Sequence, residues 1–199
     1  FCAFLKIFLQ ESTKDSMKKR LPWLIILLFL GMLVSSVVGV FEDVVAILPI
    51  VICFQSLVLD MAGNVGTQSL AVTIRVLMDE NLSAKDKLYL TFKEAKVGFS
   101  SGLLLGMLAL VFLGVYIYLF KGYSLGHAFL ISSCVGASLF LAMIISSLVG
   151  TLIPLFFNKI KIDPAVASGP LITTVNDLVA VVTYYGLSWI LLIEIMHIA

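Results

Sequence analysis

The chain has 199 residues, of which 61% are apolar and 13% are charged, with a formal net charge of +1. A soluble domain keeps about a quarter of its residues charged, so this composition excludes a soluble globular protein and indicates one membrane domain in a lipid bilayer. The near-neutral charge gives no reason to expect a nucleic-acid partner.

Residues 1–20 combine apolar positions with five basic residues: Lys6, Lys14, Lys18, Lys19 and Arg20. This pattern predicts a cytoplasmic amphipathic juxtamembrane segment, followed by a transmembrane domain over residues 21–199. The first apolar run is too long for a cleaved signal peptide. The chain begins at Phe1 rather than Met, which is compatible with a fragment of a longer protein.

The first span is predicted over residues 21–40, before an acidic turn at 41–43. The second apolar stretch covers residues 44–78, roughly 50 Å of helix and more than a bilayer needs. Its middle, residues 60–68, reads DMAGNVGTQ. This polar, glycine-rich sequence predicts a broken helix, because irregular backbone at membrane depth is tolerated only inside protein or beside a wet cavity.

Such a break would offer oxygen ligands that suit a hard cation. They are the carbonyls at Gly63 and Gly66 and the side chains of Asn64, Thr67 and Gln68. A packing kink, in which the amide side chains satisfy freed backbone groups, is the alternative interpretation. Asp60 is either a second carboxylate or a cap for the following half-helix, and we favour the structural role.

The remaining predicted elements are a polar loop at 79–93, a third span at 96–120, a turn at 121–126, a fourth span at 127–157, a turn at 158–163 and a fifth span from 164 to the end. Gly98, Gly102 and Gly106 recur at four-residue spacing, which favours close helix contact. Pro170 lacks a backbone N–H and predicts an interruption early in the fifth span.

All 13 basic residues except Lys121 fall on one side of these five spans. Basic residues concentrate in cytoplasmic segments, so the N-terminus is predicted inside and the C-terminus outside. The predicted fold is therefore an all-α integral membrane protein of five transmembrane helices, located in the plasma membrane.

The three cysteines, Cys2, Cys53 and Cys134, form neither a disulfide framework nor a Cys/His metal cluster, and they are predicted to be small buried hydrophobes. His127 and His197 fall at span ends and are interpreted as interfacial residues.

Asp177 lies 13 residues into the fifth span, which starts at residue 164. That position is roughly 20 Å along the helix, near mid-membrane. No Lys or Arg falls at a comparable depth to pair with it. Because carboxylates inside a bilayer are costly and usually functional, we favour an ion pathway over a protonated or hydrogen-bonded structural aspartate.

Two stretches resemble the MgtE family of magnesium channels: GNVGTQS at 63–69 followed by IRVL at 74–77, and DPAVASGPL at 163–171 followed by Thr173, Thr174 and Asp177. The resemblance implies a homodimer with a Mg²⁺ pore between its subunits, lined by the second and fifth spans. Asp177 matches the aspartate that binds hydrated Mg²⁺ from both subunits. Thr173 matches a position whose backbone carbonyl faces that ion.

The predicted pore lining comprises Gly63, Asn64, Gly66, Gln68, Ser168, Gly169, Pro170 and Thr174. Two positions depart from the family pattern: Gly169 stands where some members have Asn, and Asp60 stands where many have a small residue. The family's cytosolic sensor and CBS domains, which regulate the pore, are not in this chain.

Two other functions are alternatives to a channel. A proton- or sodium-coupled divalent cation carrier would also use Asp177. A membrane enzyme acting on lipid phosphates would need several clustered carboxylates, and the second span offers only Asp60, so an enzyme is not expected.

Overall fold

The computed structural model describes residues 12–79, 82–162 and 164–195. Within these ranges all regular structure is helical, in the order α1 (Thr13–Val40), α2 (Glu42–Ile47), α3 (Ile50–Leu77), α4 (Ala84–Lys121), α5 (Leu125–Lys159), α6 (Pro164–Leu187) and a π-helix (Ser188–Ile195). Five of these segments are long and apolar enough to cross a membrane: α1, α3, α4, α5 and the stretch Gly169–Leu192. The prediction of an all-α protein with five spans is confirmed.

Local capping sets the limits of α4, which is longer than the predicted third span. The Ser83 hydroxyl accepts a hydrogen bond from the N–H of Asp86 at 3.3 Å, and the Asp86 carboxylate accepts one from the N–H of Ser83 at 3.0 Å. This capping box starts the helix twelve residues earlier than residue 96. Gly122 ends it with a left-handed backbone at φ 74°, so that α4 has 38 residues.

Helix α5 is the centre of the bundle. Helices α3, α4 and α6 each pack against it, α3 and α6 also pack against each other, and α1 contacts α6 at the periphery. Helix α1 has no buried residue, so lipid would cover most of its surface. The apolar core lies mainly where α3, α5 and α6 meet, and includes Val58, Ile131, Val135 and Tyr184.

The predicted break in the second span is not observed, because residues 60–68 are α-helical within the continuous α3. The excess length of the predicted span is accounted for by the short helix α2 and by a turn at Leu48 and Pro49, which separate α1 from α3. Gly66 serves close packing, whereas a Cβ atom on Gly63 would have no neighbour within 4 Å.

The predicted interruption at Pro170 is also absent, and α6 continues through this residue. The hydroxyls of Thr173 and Thr174 donate to the carbonyls of Gly169 and Pro170 at 3.2 and 3.1 Å. Hydroxyl groups of this kind help a transmembrane helix to accommodate a proline. The irregular backbone of this span lies further along, in the π-helix Ser188–Ile195.

Glycines allow the closest helix contacts in the bundle. Gly98, Gly102 and Gly106 are all buried, which confirms the prediction of a close contact along this face of α4. A Cβ atom on Gly106 would lie 2.8 Å from the carbonyl oxygen of Gly136 on α5. Gly150 of α5 approaches Gly66 of α3 even more closely, because a Cβ on Gly150 would overlap the Gly66 carbonyl oxygen.

We expect Gly150→Ala to destabilise the protein by about 1–3 kcal/mol, because the added methyl group overlaps backbone that cannot move without separating α3 from α5. Gly126→Ala is the matched control on the same helix, since a Cβ there would have no neighbour within 4 Å. Thermal unfolding in detergent measures both variants. Equal unfolding temperatures for the two would contradict the close contact.

Candidate cation site between α3 and α6

Helix α3 has a polar face and a packing face at helical spacing. The exposed polar residues of one face are Ser56, Asp60, Asn64 and Thr67. The residues buried on the opposite face include Ala62, Val65, Gly66 and Ser69. Asn64 lies 14 residues after Ile50 and 13 before Leu77, which places this polar face at the middle of the span.

A cleft of about 250 Å³ lies between α3 and α6. Its lining residues are Leu59, Asp60, Gly63, Asn64 and Thr67 of α3 and Thr173 and Asp177 of α6. The structure therefore brings together Asp177, Thr173, Asn64, Gly63 and Asp60, all of which were singled out in the sequence. Asp60, Asn64 and Thr173 are exposed and Asp177 is half-buried, so the cleft opens on the surface of the protomer.

The hydrogen bonds inside the cleft leave it rich in acceptors. The Asn64 side-chain Nδ2 donates to Asp60 Oδ2 at 3.2 Å. The Thr67 hydroxyl donates to the Asn64 carbonyl at 2.9 Å, and that of Thr173 donates to the Gly169 carbonyl at 3.2 Å. The hydroxyl hydrogens are thus used within the helices, while carboxylate and hydroxyl lone pairs remain free to accept.

Across residues 12–79, 82–162 and 164–195, no group of three or more His, Cys, Asp or Glu side chains could hold a metal ion. The cleft holds two carboxylates, and a small divalent cation at a site with one or two carboxylates usually keeps several of its waters. The acceptor-rich lining suits a cation that keeps its water and donates hydrogen bonds through it.

The structure places Gly66 away from the cleft, because it lies on the buried face of α3. A Cβ atom there would overlap the Asn176 amide of α6 and lie 3.2 Å from the Ser146 carbonyl of α5. Gly66 thus permits the three-helix contact behind the cleft.

Four other predicted pore residues do not line the cleft. Gln68 and Pro170 are exposed outside it, and Gly169 and Thr174 are partly buried. The side chain of Ser168 lies outside the described part of the structure.

The cysteine and histidine predictions have mixed outcomes. Cys134 is buried as predicted, but the prediction for Cys53 is wrong, because its thiol is exposed. His127 is exposed at the start of α5, beside the capping hydroxyl of Ser124. Cys2 and His197 lie outside the described residues.

Sequence reasoning missed two buried polar residues behind the cleft. Asn176 is fully buried, and neither its Nδ2 nor its Oδ1 has a hydrogen-bond partner among the described residues. Glu94 of α4 is 5% exposed and lies within hydrogen-bond distance of Ser69 of α3. A signal for Glu94 was present, since it lies four residues before Gly98 and continues the glycine face of α4.

Two tyrosines of α6 bind α3 beyond one end of the cleft. The Tyr184 hydroxyl donates to the Val51 carbonyl at 2.7 Å, and the Tyr185 hydroxyl donates to Gln55 Oε1 at 2.7 Å. Tyr185 also stacks on Phe41, which precedes α2, with ring centroids 5.7 Å apart. These contacts fix the distance between the two walls of the cleft.

A family model described as MgtE, divalent cation transporter, matches residues 55–187. The magnesium transporter MgtE of Bacillus subtilis is 39% identical over 170 residues, which are 85% of this chain and 36% of that protein. The magnesium transporter MgtE of Enterococcus faecalis is 37% identical over 180 residues, 89% of this chain and 37% of that protein.

The magnesium transporter MgtE of Thermus thermophilus is 32% identical over 173 residues, which are 87% of this chain and 36% of that protein. The chain therefore spans a little over a third of the length of these relatives.

We expect Tyr184→Phe to lower the free energy of unfolding by about 0.5–1.5 kcal/mol, because it removes one buried hydrogen bond between α6 and α3. Tyr118→Phe is the control, since Tyr118 is 47% exposed. Chemical unfolding in mixed micelles measures the difference. A Tyr184→Phe protein as stable as the control would show that this bond does not hold the two helices together.

Proposed function

The chain belongs to the MgtE family of divalent cation transporters, and we propose that it conducts hydrated Mg²⁺ through a pore lined by α3 and α6. The observation that carries this proposal is the cleft at mid-span, which holds two carboxylates and opens on the protomer surface. Polar groups at that depth are tolerated where they line a water-filled passage. Transport, with no chemical transformation of a substrate, is the activity proposed.

The chemistry of the cleft supports a hydrated magnesium ion as the permeant species. Mg²⁺ releases its water reluctantly, and bound water directs its hydrogens away from the ion. The free lone pairs of Asp60, Asp177, Thr67 and Thr173 are suited to accept those hydrogens. Contact through water also allows the ion to leave, which conduction requires.

A second copy of the chain would complete the pore. The polar face of α3 and the cleft are exposed in the single protomer, where lipid would otherwise meet Asp60, Asn64 and Thr67. Burying such groups in hydrocarbon without partners costs several kcal/mol each. A two-fold homodimer that places the clefts face to face would enclose them around water and double the number of carboxylates.

Asp60 is proposed as the second acidic residue of the pathway. It lines the same cleft as Asp177, and the hydrogen bond from Asn64 orients its carboxylate. Because α3 is continuous, Asp60 lies within the helix and does not cap a following half-helix. Its additional negative charge would raise the local concentration of divalent cations.

The predicted membrane orientation complements this proposal. With the N-terminus inside, α3 runs towards the cytoplasm and α6 runs away from it, so the cleft lies between two antiparallel spans. The plasma membrane is proposed as the location.

The alternative function, a proton- or sodium-coupled divalent cation carrier, would use the same carboxylates.

We expect Asp177→Asn to lower Mg²⁺ influx into proteoliposomes by about tenfold or more, equivalent to about 1.4 kcal/mol, because it removes a charge from each half of the pore. Asp60→Asn should reduce the influx less, and Asp15→Asn, in the first turn of α1, should leave it unchanged. A Mg²⁺-sensitive dye inside the vesicles reports the rate.

Unaltered influx with Asp177→Asn would contradict the assignment of this residue. Single-channel currents in planar bilayers would support the channel. Influx that strictly requires a proton or sodium gradient would favour the coupled carrier.

We expect Thr67→Cys and Thr173→Cys, each with the native cysteines replaced by serine, to form disulfide-linked dimers on oxidation in membranes. The reason is that both positions line the proposed interface between subunits. Ser133→Cys on α5, which faces the pocket between α4 and α5, is the control and should stay monomeric. Dimer bands that appear equally in all three variants, or in none, would contradict a shared pore.

A further inference from the structure

A groove of about 230 Å³ lies between α4 and α5 and shares no lining residue with the cleft. Its lining includes Gly106, Met107 and Leu110 of α4 and Gly136, Ala137 and Phe140 of α5. Met107 is 53% exposed, so the groove opens on the surface of the bundle that faces lipid. We call it the α4–α5 groove.

Two buried glycines form the floor of the α4–α5 groove. A Cβ atom on Gly106 would lie 2.8 Å from the Gly136 carbonyl oxygen, and one on Gly136 would lie 2.6 Å from the Gly106 carbonyl oxygen. The two backbones therefore touch where the helices cross, and the larger side chains beside them form walls. The Phe140 ring packs edge-to-face on Phe99 with centroids 5.2 Å apart, which fixes one wall.

The lining has the chemistry of a surface that binds hydrocarbon. Among the described residues that line the groove, Ser133 alone has a polar side chain. The Ser133 hydroxyl donates to the Leu130 carbonyl at 2.7 Å, so no side-chain hydrogen remains for a ligand. Helix α4 packs chiefly on α5, and the rest of its surface is left to lipid. The groove thus suits an acyl chain.

A cation lies above the groove on the same side of α4. Lys121 follows Leu110 by eleven residues and Leu103 by eighteen, which are about three and five turns of 3.6 residues, so the three residues are aligned along the helix. Lys121 is exposed, and its Nζ lies 6.0 Å from the centroid of the Tyr116 ring. This weak contact leaves the ammonium hydrogens available to an anion.

No acidic residue near Lys121 in the sequence neutralises its charge. The chain has no Asp or Glu between Glu94 and Asp163, which covers the rest of α4 and all of α5. Within the part of the chain that the structure describes, Lys121 makes no ion pair. Lys121 is also the basic residue that the predicted orientation separates from all the others. Its counter-charge is therefore to be sought in the membrane.

The spacing between Lys121 and the groove matches one leaflet of a bilayer. Tyr116 and Tyr118 precede Lys121 and are exposed, as aromatic residues at the level of the headgroups commonly are. Along α4, Leu110 lies about 17 Å and Gly106 about 22 Å from Lys121. A leaflet with its headgroups is about 20–22 Å thick. A phospholipid with its phosphate at Lys121 would thus place the end of an acyl chain in the groove.

We propose that Lys121 and the α4–α5 groove together bind one phospholipid with a net negative headgroup, from the leaflet on the Lys121 side. The phosphate oxygens accept hydrogen bonds from the Lys121 ammonium, and one acyl chain lies over Gly106 and Gly136. A second copy of the chain is a poorer occupant. Its α4 and α5 would bring no acidic residue to Lys121, because none lies between Glu94 and Asp163.

Native mass spectrometry of the purified protein in detergent tests the charge. The protein is titrated with phosphatidylglycerol or with phosphatidylcholine of the same acyl chains. We expect the wild type to bind the first phosphatidylglycerol about fivefold more tightly, the effect of one lysine near an anionic headgroup. Lys121→Gln should remove this preference. Lys85→Gln, exposed at the other end of α4, is the control and should keep it.

The same titration tests the groove through Ala137→Phe, whose added ring fills it. We expect this variant to bind the first molecule of both lipids severalfold more weakly. Val111→Phe is the control, because Val111 is 51% exposed on α4 outside the groove and should bind lipid as the wild type does.

Three results would overturn the proposal. Equal affinity of the wild type for the two lipids, a comparison that needs no variant, would show that Lys121 selects no anionic headgroup. Unaltered lipid binding by Ala137→Phe would show that lipid binds only as a general annulus. Loss of a dimer in Ala137→Phe would assign the groove to a contact between copies. None of these measurements depends on magnesium transport, so the two proposals are tested separately.

Discussion

The contact of α3 with α5 and α6 at Gly66 is the constraint on which the rest of the structure depends. Gly66 accepts Gly150 from one neighbour and the Asn176 amide from the other, at distances that any side chain would prevent. This contact turns one face of α3 permanently inward. The opposite face, with Asp60, Asn64 and Thr67, must then lie outward at the depth of the hydrocarbon. There, only water, a partner subunit or an ion can satisfy the hydrogen-bonding groups of these side chains.

Composition and motif spacing were sufficient to predict the five spans and most of the cleft. Long apolar blocks identify membrane helices because a bilayer demands them. Asp177 and Asn64 were recognisable because polar groups at such depth are unusual. The two least apolar spans, α3 and α6, are the ones that form the cleft.

The wrong prediction of a break in the second span came from reading glycine as a local signal. Glycine weakens an isolated helix, so the sequence around Gly63 and Gly66 suggested a break. In the bundle, packing against α5 and α6 compensates that weakness and the helix continues. The contacts of Ser69 with Glu94 and Ser147 could not be found from the sequence, because Ser69 and Ser147 are 78 residues apart and only the tertiary fold brings them together.

The length of α4 has a mechanical consequence. Its 38 residues extend about 57 Å, whereas the hydrocarbon core of a bilayer is about 30 Å thick. Several turns of this helix therefore project beyond the lipid, and the Lys87 ammonium on them reaches Asn158 near the end of α5 at 3.3 Å. An α-helix is stiff along its axis. A displacement of the projecting turns along that axis would therefore also move Glu94, which contacts Ser69 on the buried face of α3.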